Sequence, residues 1–341
     1  MDPLLRAAPL RFILTALLGA AAVLLLVCAI PDSGRDRFNA LHAPAVVKLG
    51  WIYERLHDDP TPVDVAFIGT SRTVYGVDSA HIEDALHQAG RNLHVINLGV
   101  QHPGRNMHDL LARELLTTRK PKLLVLEVTE YEARDLHPAF AEIAPVRDVV
   151  TEPLIINISY FNDLSRLPRR QLRLTAAHLA PSLFGEAAAP DYRGPHWDDT
   201  YAESGTAAYP IHAPPRIHHP EPAELKRELS QANAADARKL RLPPSLSWLE
   251  RRVSLLYVQD IMDLARAHDV PVALLYLHTW SMDQPPAHLE WFQSFGPVWQ
   301  PPAVLNDPVF WTDINHFNHD GAQAFGDWVA GQIAADTRLK N

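Results

Sequence analysis

The sequence has little cysteine and no excess of positive charge. Cys28 is the one cysteine among 341 residues, so neither an intramolecular disulfide nor a zinc site built from cysteines can form. Lys and Arg number 31 against 40 Asp and Glu, which gives a formal net charge of −9. Because nucleic-acid binding relies on clustered Lys and Arg to neutralise phosphates, this balance argues against nucleic acid as a partner.

The rest of the composition predicts a globular chain with a substantial core. Hydrophobic residues make up 47% of the chain and charged residues 21%, which excludes disorder of the whole chain. At about 100–200 residues per domain, this length predicts one large domain or two smaller ones. Proline is frequent: the chain has 29, above the ~5% of an average chain, which predicts long and stiff connections.

An uncharged run near the N-terminus predicts a membrane anchor. Residues 12–30 read FILTALLGAAAVLLLVCAI, and a helix of this length spans a hydrocarbon layer of about 30 Å. Arg6 and Arg11 precede the run, so the positive-inside rule places the bulk of the chain on the periplasmic side of the inner membrane. We therefore expect residues 1–31 to form a cytoplasmic tip and a single-pass transmembrane helix. A cleaved signal peptide is the alternative.

Residues 62–335 alternate between short apolar runs and amphipathic segments, which is typical of a parallel sheet covered on both faces by helices. The expected strands cover residues 63–68, 93–98, 122–128 and 270–276, and the expected helices cover about 78–87, 106–117, 249–268 and 322–335. The sequence therefore predicts an α/β domain. We interpret 131–248 as an insertion in this domain, 32–61 as a stalk or packing helix, and 336–341 as a tail.

The strongest local signal is a serine directly after the first expected strand. The segment Gly69-Thr70-Ser71-Arg72 follows this strand, and its glycine permits a tight turn. Ser71 is thereby expected at the carboxyl end of a parallel strand, where ligands bind in open α/β sheets. A serine needs a base to become a nucleophile, and an ordinary turn serine is the alternative. Because Thr73 replaces the second glycine of G-x-S-x-G, this is not the nucleophile elbow of α/β-hydrolases.

A second signal, Asp313-Ile314-Asn315-His316, precedes the last expected helix. Because the two residues are three positions apart, the Asp313 carboxylate can reach Nδ1 of His316, fix its tautomer and leave Nε2 facing a nucleophile. We expect Asn318 to cap the helix. The alternatives are an ordinary loop and cap cluster, and a metal site of Asp313, His316 and His319. The sequence offers no further ligand set, so we expect neither a metal nor a cofactor.

Taken together, the two signals resemble the SGNH/GDSL hydrolase superfamily over residues 62–130 and 249–335. The first block is FIGTSR with Ser71, the second is Val95-Ile96-Asn97-Leu98-Gly99, and the last is Asp313-x-x-His316. The resemblance implies a flavodoxin-like three-layer α/β/α sandwich with Ser71, His316 and Asp313 as a catalytic triad. It also implies an oxyanion hole made by the Ser71 and Gly99 N–H groups and completed by an asparagine side chain.

The chain departs from this family in the third block. Gly-x-Asn-Asp normally follows the third strand, whereas this chain continues with LEVTE at 126–130 and offers no asparagine. Arg72, or a group within 101–105, is a possible replacement donor, and losing one oxyanion donor costs about 10²–10³ in rate. Weaker substrate-binding candidates are Arg72, Tyr75, Asn97 and Gln101. The alternative for Arg72 is a salt bridge to Asp78 or Glu130, and for Tyr75 it is packing.

The expected insertion contains aromatic residues that could bind sugars. Tyr192, Trp197, Tyr201 and Tyr209 could form a stacking platform for a saccharide, or they could pin down a long loop.

The predicted anchor and the SGNH-like site together resemble membrane-anchored proteins that O-acylate cell-envelope polymers. In those systems a membrane-bound O-acyltransferase delivers the acyl group to the external protein. By this resemblance we expect a serine acyltransferase that transfers an acyl group, with acetyl as the first candidate, to a cell-envelope or exported polysaccharide. A carbohydrate esterase of the same family is the first alternative. A non-catalytic protein that binds a polymer or a partner is the second.

Overall fold

The structure, a computed structural model, describes residues 3–39, 48–154, 157–184, 192, 194–196, 219–239, 241–282 and 284–339. Within this part of the chain the centre of the fold is a five-stranded sheet in which all strands are parallel. The strands are β1 (Val65–Ile68), β2 (Val95–Asn97), β3 (Leu123–Val128), β4 (Val272–Tyr276) and β5 (Val298–Trp299). Their order across the sheet is β2-β1-β3-β4-β5. The predicted α/β class and its four strands are confirmed, whereas β5 was not predicted.

Helices connect and cover these strands. They are α1 (Pro3–Cys28), α2 (Gly34–Asn39), α3 (Lys48–His57), α4 (Ser71–Gly76), α5 (Ser79–Gln88), α6 (Arg105–Thr118), α7 (Phe140–Ile143), α8 (Val146–Val150), α9 (Tyr160–Leu179), α10 (Pro181–Phe184), α11 (Pro222–Ala237), α12 (Arg252–Ala267), α13 (Leu289–Gln293) and α14 (His319–Ala335). Short 3₁₀ helices occupy Pro244–Leu249, Ala303–Asn306 and Pro308–Phe310. The four helices expected in the α/β region are α5, α6, α12 and α14. As predicted, Asn318 caps α14, because its side chain accepts a hydrogen bond from the Gly321 N–H.

Apolar side chains leave the sheet on both faces, which explains why helices cover both. On one face, Ala66 and Leu124 share a core with side chains of α3, α6 and α12, including Leu111. On the other face, Phe67 and Val125 share a second core with α5 and α14. The arrangement is consistent with a three-layer sandwich.

The N-terminal helix differs from the prediction. A helix does cover Pro3–Cys28, but no helix in the described ranges combines the length and the apolar character needed to cross a membrane. The predicted transmembrane helix is therefore not supported.

The segment that follows α1 packs against the domain and does not stand away from it as a stalk. Residues 40–47 lie outside the described part of the chain, but in α3 the side chains of Trp51, Ile52 and Leu56 are buried in the first core. Of the two interpretations offered for residues 32–61, the packing helix is the one that the structure supports.

The segment between β3 and α12 is partly described. It contains α7 to α11. From α11, Leu225 is buried in the second core, so this helix packs against the α/β layers. Most of the proline-rich stretch 181–222 lies outside the described residues.

Candidate active site

Ser71 is the first residue of α4, three positions after the end of β1. Thr70 caps this helix: its Oγ1 accepts a hydrogen bond from the Arg72 N–H at 3.2 Å. The turn places the Ser71 hydroxyl beside the C-terminal part of the chain. Its Oγ lies 2.8 Å from Nε2 of His316, a residue 245 positions away.

His316 is held from its other side by Asp313. Nδ1 of His316 lies 2.8 Å from Oδ2 of Asp313, while Oδ1 accepts the N–H groups of Asn315 and His316 at 2.7 and 3.0 Å. Burial favours the neutral acid, but the hydrogen bonds and charge of His316 and the Asn315 N–H outweigh it and lower the pKa of Asp313. The ionised carboxylate thus fixes the proton on Nδ1 and leaves the Nε2 lone pair toward Ser71.

A buried carboxyl group, Glu127, fixes the turn that carries Ser71. Its Oε2 accepts the N–H groups of Thr70 and Thr73 at 2.8 and 3.2 Å and the Thr73 hydroxyl at 2.5 Å. Its Oε1 accepts the Thr70 hydroxyl at 2.7 Å. Gly69 permits this approach, because a Cβ there would lie 2.3 Å from Oε2 of Glu127. Thr70 and Thr73, which flank Ser71 and Arg72, are therefore both hydrogen-bonded to Glu127 of β3.

Arg72 has a different role from the one predicted. Its Nη1 donates to Oε2 of Glu130 at 2.9 Å and to the Leu277 carbonyl at 2.6 Å. Its Nη2 donates to Oγ1 of Thr279 at 2.8 Å and to Oδ1 of Asn315 at 2.9 Å. The guanidinium therefore joins the ends of β3 and β4 to the His316 loop. Because both terminal nitrogens are occupied, we discard Arg72 as an oxyanion or substrate-binding group. The alternative salt bridge to Glu130 is the observed one.

The ion pair with Arg72 also sets the charge of Glu130. Burial favours the neutral acid, but the Arg72 guanidinium and the Thr279 N–H outweigh this effect and lower the pKa of Glu130. Glu130 is therefore ionised at neutral pH and forms an ion pair with Arg72, and we call the contacts of Arg72 with Glu130, Leu277, Thr279 and Asn315 the Arg72 clamp.

The expected oxyanion hole is only partly present. The Gly99 N–H donates to Oδ1 of Asn97 at 2.9 Å and does not point freely into the site. Asn97 itself is buried and donates through Nδ2 to the carbonyls of Thr73 and Val77, so it supports α4 and does not bind substrate. The Ser71 N–H has no hydrogen-bond acceptor among the described residues and is the expected donor that stays available.

Tyr75 and Gln101 lie beside the Ser71–His316–Asp313 hydrogen-bond chain, called the relay below. The buried Tyr75 ring meets the His316 ring edge to face, with 4.8 Å between ring centroids, and its hydroxyl accepts from Nε2 of Gln101 at 3.1 Å. Packing, the alternative given for Tyr75, is thus what the structure shows. Behind them, Nε2 of His137 donates to the Gln101 carbonyl at 2.6 Å. Burial lowers the pKa of His137 to about 4, so this imidazole is neutral and structural.

Sequence reasoning missed a second carboxyl group next to the relay. Glu228 of α11 accepts the Ile314 N–H at 3.3 Å. Burial and the nearby charge of Asp313 raise the pKa of Glu228, against the opposing effects of the Ile314 N–H and His316. No motif marks this glutamate, because it lies in a separate segment of the chain. Glu127 was visible at the end of a strand, but its contact with the serine turn depends on strand order.

The expected sugar platform is not formed by Tyr192. Its ring stacks on Trp51 with a centroid distance of 6.5 Å, and its hydroxyl donates to Oδ2 of Asp59. Tyr192 therefore pins its loop to the domain, which was the alternative interpretation. Trp197, Tyr201 and Tyr209 lie outside the described residues.

The alternative metal site finds no support where the chain is described: no group of three His, Cys, Asp or Glu side chains there is arranged to hold an ion. Asp313 and His316 instead bind each other, and His319 is the first residue of α14.

No protein-family model matches this sequence, and no characterised protein in a curated collection is significantly similar to it. The class of the protein therefore follows from its fold and geometry. It is an α/β protein in which a Ser-His-Asp hydrogen-bond chain lies at the carboxyl edge of a parallel sheet.

Proposed function

We propose that this protein is a serine acyltransferase of the SGNH type, which transfers an acyl group, acetyl in the simplest case, to a hydroxyl of a cell-envelope polysaccharide. One observation carries the proposal: Ser71 Oγ, His316 Nε2 and Asp313 Oδ2 form a continuous chain with two links of 2.8 Å. These distances are within the reach required for a base to activate a serine.

The chemistry follows from these contacts. Oγ of Ser71 attacks the carbonyl carbon of an acyl donor while Nε2 of His316 takes its proton, and the Ser71 N–H donates to the developing oxyanion. The tetrahedral intermediate collapses, His316 returns the proton to the leaving group, and an acyl-serine forms. A sugar hydroxyl then attacks the acyl-serine. His316 takes the proton of this hydroxyl and returns it to Ser71, which restores the enzyme. Asp313 stabilises the imidazolium in both halves of the cycle.

The sheet supports the SGNH part of the proposal. The order β2-β1-β3-β4-β5 is that of flavodoxin-like sheets, in which ligands bind beyond the carboxyl ends of the strands. Ser71 follows β1, which pairs with both β2 and β3 and so lies where the chain reverses direction across the sheet.

The choice of an envelope polymer as acceptor rests on α1. Nine large hydrophobic side chains between Phe12 and Leu26 are exposed, and no charged residue interrupts this part of α1. Such a surface requires apolar cover. We propose that α1 attaches the protein to the cell membrane with the α/β domain on the extracytoplasmic side. A membrane-bound O-acyltransferase is the proposed source of the acyl group.

The test uses the purified full-length chain, a chromogenic acetyl ester and an oligosaccharide acceptor. We expect acetylated oligosaccharide with the wild type, an acetyl adduct on Ser71 by mass spectrometry, and neither with Ser71→Ala. Ser79→Ala is a matched control, because the Ser79 hydroxyl also lies 3.0 Å from a histidine nitrogen, that of His196, but outside the relay. This variant should transfer acetyl groups at the wild-type rate.

Two results would overturn the proposal in different ways. Ester hydrolysis at a rate independent of the oligosaccharide, with no acetylated sugar, would identify an esterase. Failure of a fluorophosphonate probe to label Ser71, with oligosaccharide binding retained in Ser71→Ala, would identify a non-catalytic binding protein.

A further inference from the structure

Exposed apolar side chains are concentrated in two neighbouring parts of this molecule. Among the described residues, 22 large hydrophobic side chains are exposed; nine lie on α1, eight lie between 150 and 184, and five are scattered elsewhere. The eight are Val150, Leu154, Ile158, Phe161, Leu172, Leu179, Leu183 and Phe184. A concentration of this kind on an otherwise polar surface marks a contact site.

The helix α9 has two apolar faces, and only one of them belongs to the core. Leu167 and Leu174 are buried, seven residues apart, and hold α9 against the domain. Phe161, Leu172 and Leu179 are 74%, 53% and 77% exposed. Spacings of eleven and seven residues are close to whole numbers of helical turns, so these three side chains share one outward face. The outward face continues into Leu183 and Phe184 of α10.

The end of α1 contacts the buried side of α9. Nε2 of Gln171 donates to the Ile30 carbonyl at 2.7 Å, and Arg170 pairs with Asp32 at 3.5 Å. These contacts fix the point at which α1 leaves the domain, beside α9. The exposed apolar surface of α1, which the proposed function assigns to the membrane, therefore starts from the same helix that carries the outward face.

The charge of α9 complements an anionic surface. The helix carries four arginines, of which Arg170 is buried, and one buried aspartate, Asp163, in a chain whose net charge is −9. Arg166 donates to the Pro138 carbonyl and Arg173 pairs with Glu142, whereas Arg169 is exposed. A helix with apolar residues outward and arginines along its sides is typical of helices that lie in the interface of a membrane.

We propose that the outward face of α9, together with Ile158 and the α10 side chains, lies in the headgroup region of the anionic membrane to which α1 attaches. This inference rests on the membrane attachment in the proposed function and is independent of the acyl-transfer chemistry. Because α9 shares a core with the α/β layers that carry the active-site serine, two contacts with the bilayer hold the site at one orientation, whereas α1 alone leaves it free to turn.

The test measures the depth of single positions in vesicles of phosphatidylglycerol and phosphatidylethanolamine. Full-length protein with Cys28→Ala receives one cysteine, carrying an environment-sensitive fluorophore, through Leu179→Cys, Ile158→Cys or Val304→Cys. Val304 is the matched control, because it is 67% exposed and lies outside both apolar regions. We expect lipids with a nitroxide-labelled chain to quench positions 179 and 158 at least about threefold more than position 304.

A fourth label, through Leu18→Cys in α1, distinguishes failure of the proposed α9 contact from failure of the proposed membrane attachment through α1. Quenching at 18 but not at 179 would overturn the inference and leave α1 attached. No quenching at 18 would overturn the membrane attachment itself. Protection of position 179 that depends on protein concentration and not on lipid would show that a second copy covers the face, and would also overturn the inference.

Charge provides an independent readout in the same vesicles. Arg169→Glu should reduce quenching at 179 several-fold in phosphatidylglycerol vesicles and leave quenching at 18 unchanged. Equal quenching at 179 in both proteins would contradict the proposed contact with anionic headgroups.

Discussion

At the scale of single residues, the Glu127 carboxylate accepts four hydrogen bonds, from the N–H and hydroxyl groups of Thr70 and Thr73. These two threonines flank Ser71 and Arg72. A glutamine at 127 keeps one acceptor oxygen, but its NH₂ group faces N–H or hydroxyl groups of Thr70 and Thr73, which then lose their acceptor. We expect Glu127→Gln to lower kcat about 10- to 100-fold, because Ser71 moves relative to His316, with a much smaller change in KM.

A buried carboxylate outside the relay provides the control for this prediction. Glu132 pairs with Arg105 through two hydrogen bonds of 2.6 Å. Glu132→Gln should reduce thermal stability by at least as much as Glu127→Gln and leave kcat within about threefold of wild type. Equal losses of kcat in the two variants would show that Glu127 acts through general stability alone.

Asp313 gives a second prediction at this scale. In Asp313→Asn the amide oxygen can still accept the backbone N–H groups, so the NH₂ group faces Nδ1 of His316. The imidazole then carries its proton on Nε2 and donates to Ser71 where it should accept. We expect kcat to fall about 10³- to 10⁴-fold with the fold intact. Steady-state kinetics and circular dichroism would check this, and a loss below tenfold would contradict the role of Asp313.

At the scale of elements, the turn from β1 to α4 depends on Gly69. A Cβ at this position would lie 2.0 Å from Oγ1 of Thr73, so the turn must move. We expect Gly69→Ala to abolish labelling of Ser71 by a fluorophosphonate probe. Gly331→Ala in α14 is the control: a Cβ there meets nothing within 4 Å, and alanine should add up to about 1 kcal/mol of stability. Normal labelling in Gly69→Ala would contradict the tight turn.

What the sequence predicts at this scale depends on distance along the chain. Ser71 and the pair Asp313 and His316 were predictable, because each belongs to a local pattern beside a strand or a helix cap. The clamp of Arg72 on Leu277 and Thr279 joins residues more than 200 positions apart, and no local pattern carries it. The two residues of β5 are too few to show alternation. The contact of Glu127 with the serine turn depends on the pairing of β3 with β1, and no pattern in the sequence specifies this strand order.

At the scale of the whole molecule, buried acids make stability depend on pH. Burial raises the pKa of Glu152 to about 7 and that of Asp109 to about 6. An acid whose pKa is raised by folding stabilises the protein fully below its unfolded pKa, and this contribution disappears as pH rises through the folded pKa. We therefore expect the stabilising contribution of these two acids to be lost between about pH 4 and pH 7, while the buried His137, whose pKa is lowered, contributes in the opposite direction.

Glu152→Gln should remove the share of this loss that Glu152 contributes, because a neutral amide cannot ionise. From pH 5 to pH 8 we expect the unfolding free energy of the variant to change by about 1–2 kcal/mol in the stabilising direction relative to the wild type, measured by denaturant titration. The slope is the readout, since the hydrogen bonds from Asn106 and Asn157 to Glu152 also change. Glu290→Gln, at an exposed position, should keep the wild-type slope. An unchanged slope in Glu152→Gln would refute the prediction.

The separation of Ser71 from its histidine by 245 positions has a consequence for biosynthesis. A ribosome finishes the strand that precedes the serine long before it adds the loop that activates it. In the proposed mechanism the hydroxyl therefore stays an ordinary alcohol until the segment with Asp313 and His316 has emerged and docked. Translation products that stop before this segment are expected to be inert toward acyl donors for the same reason.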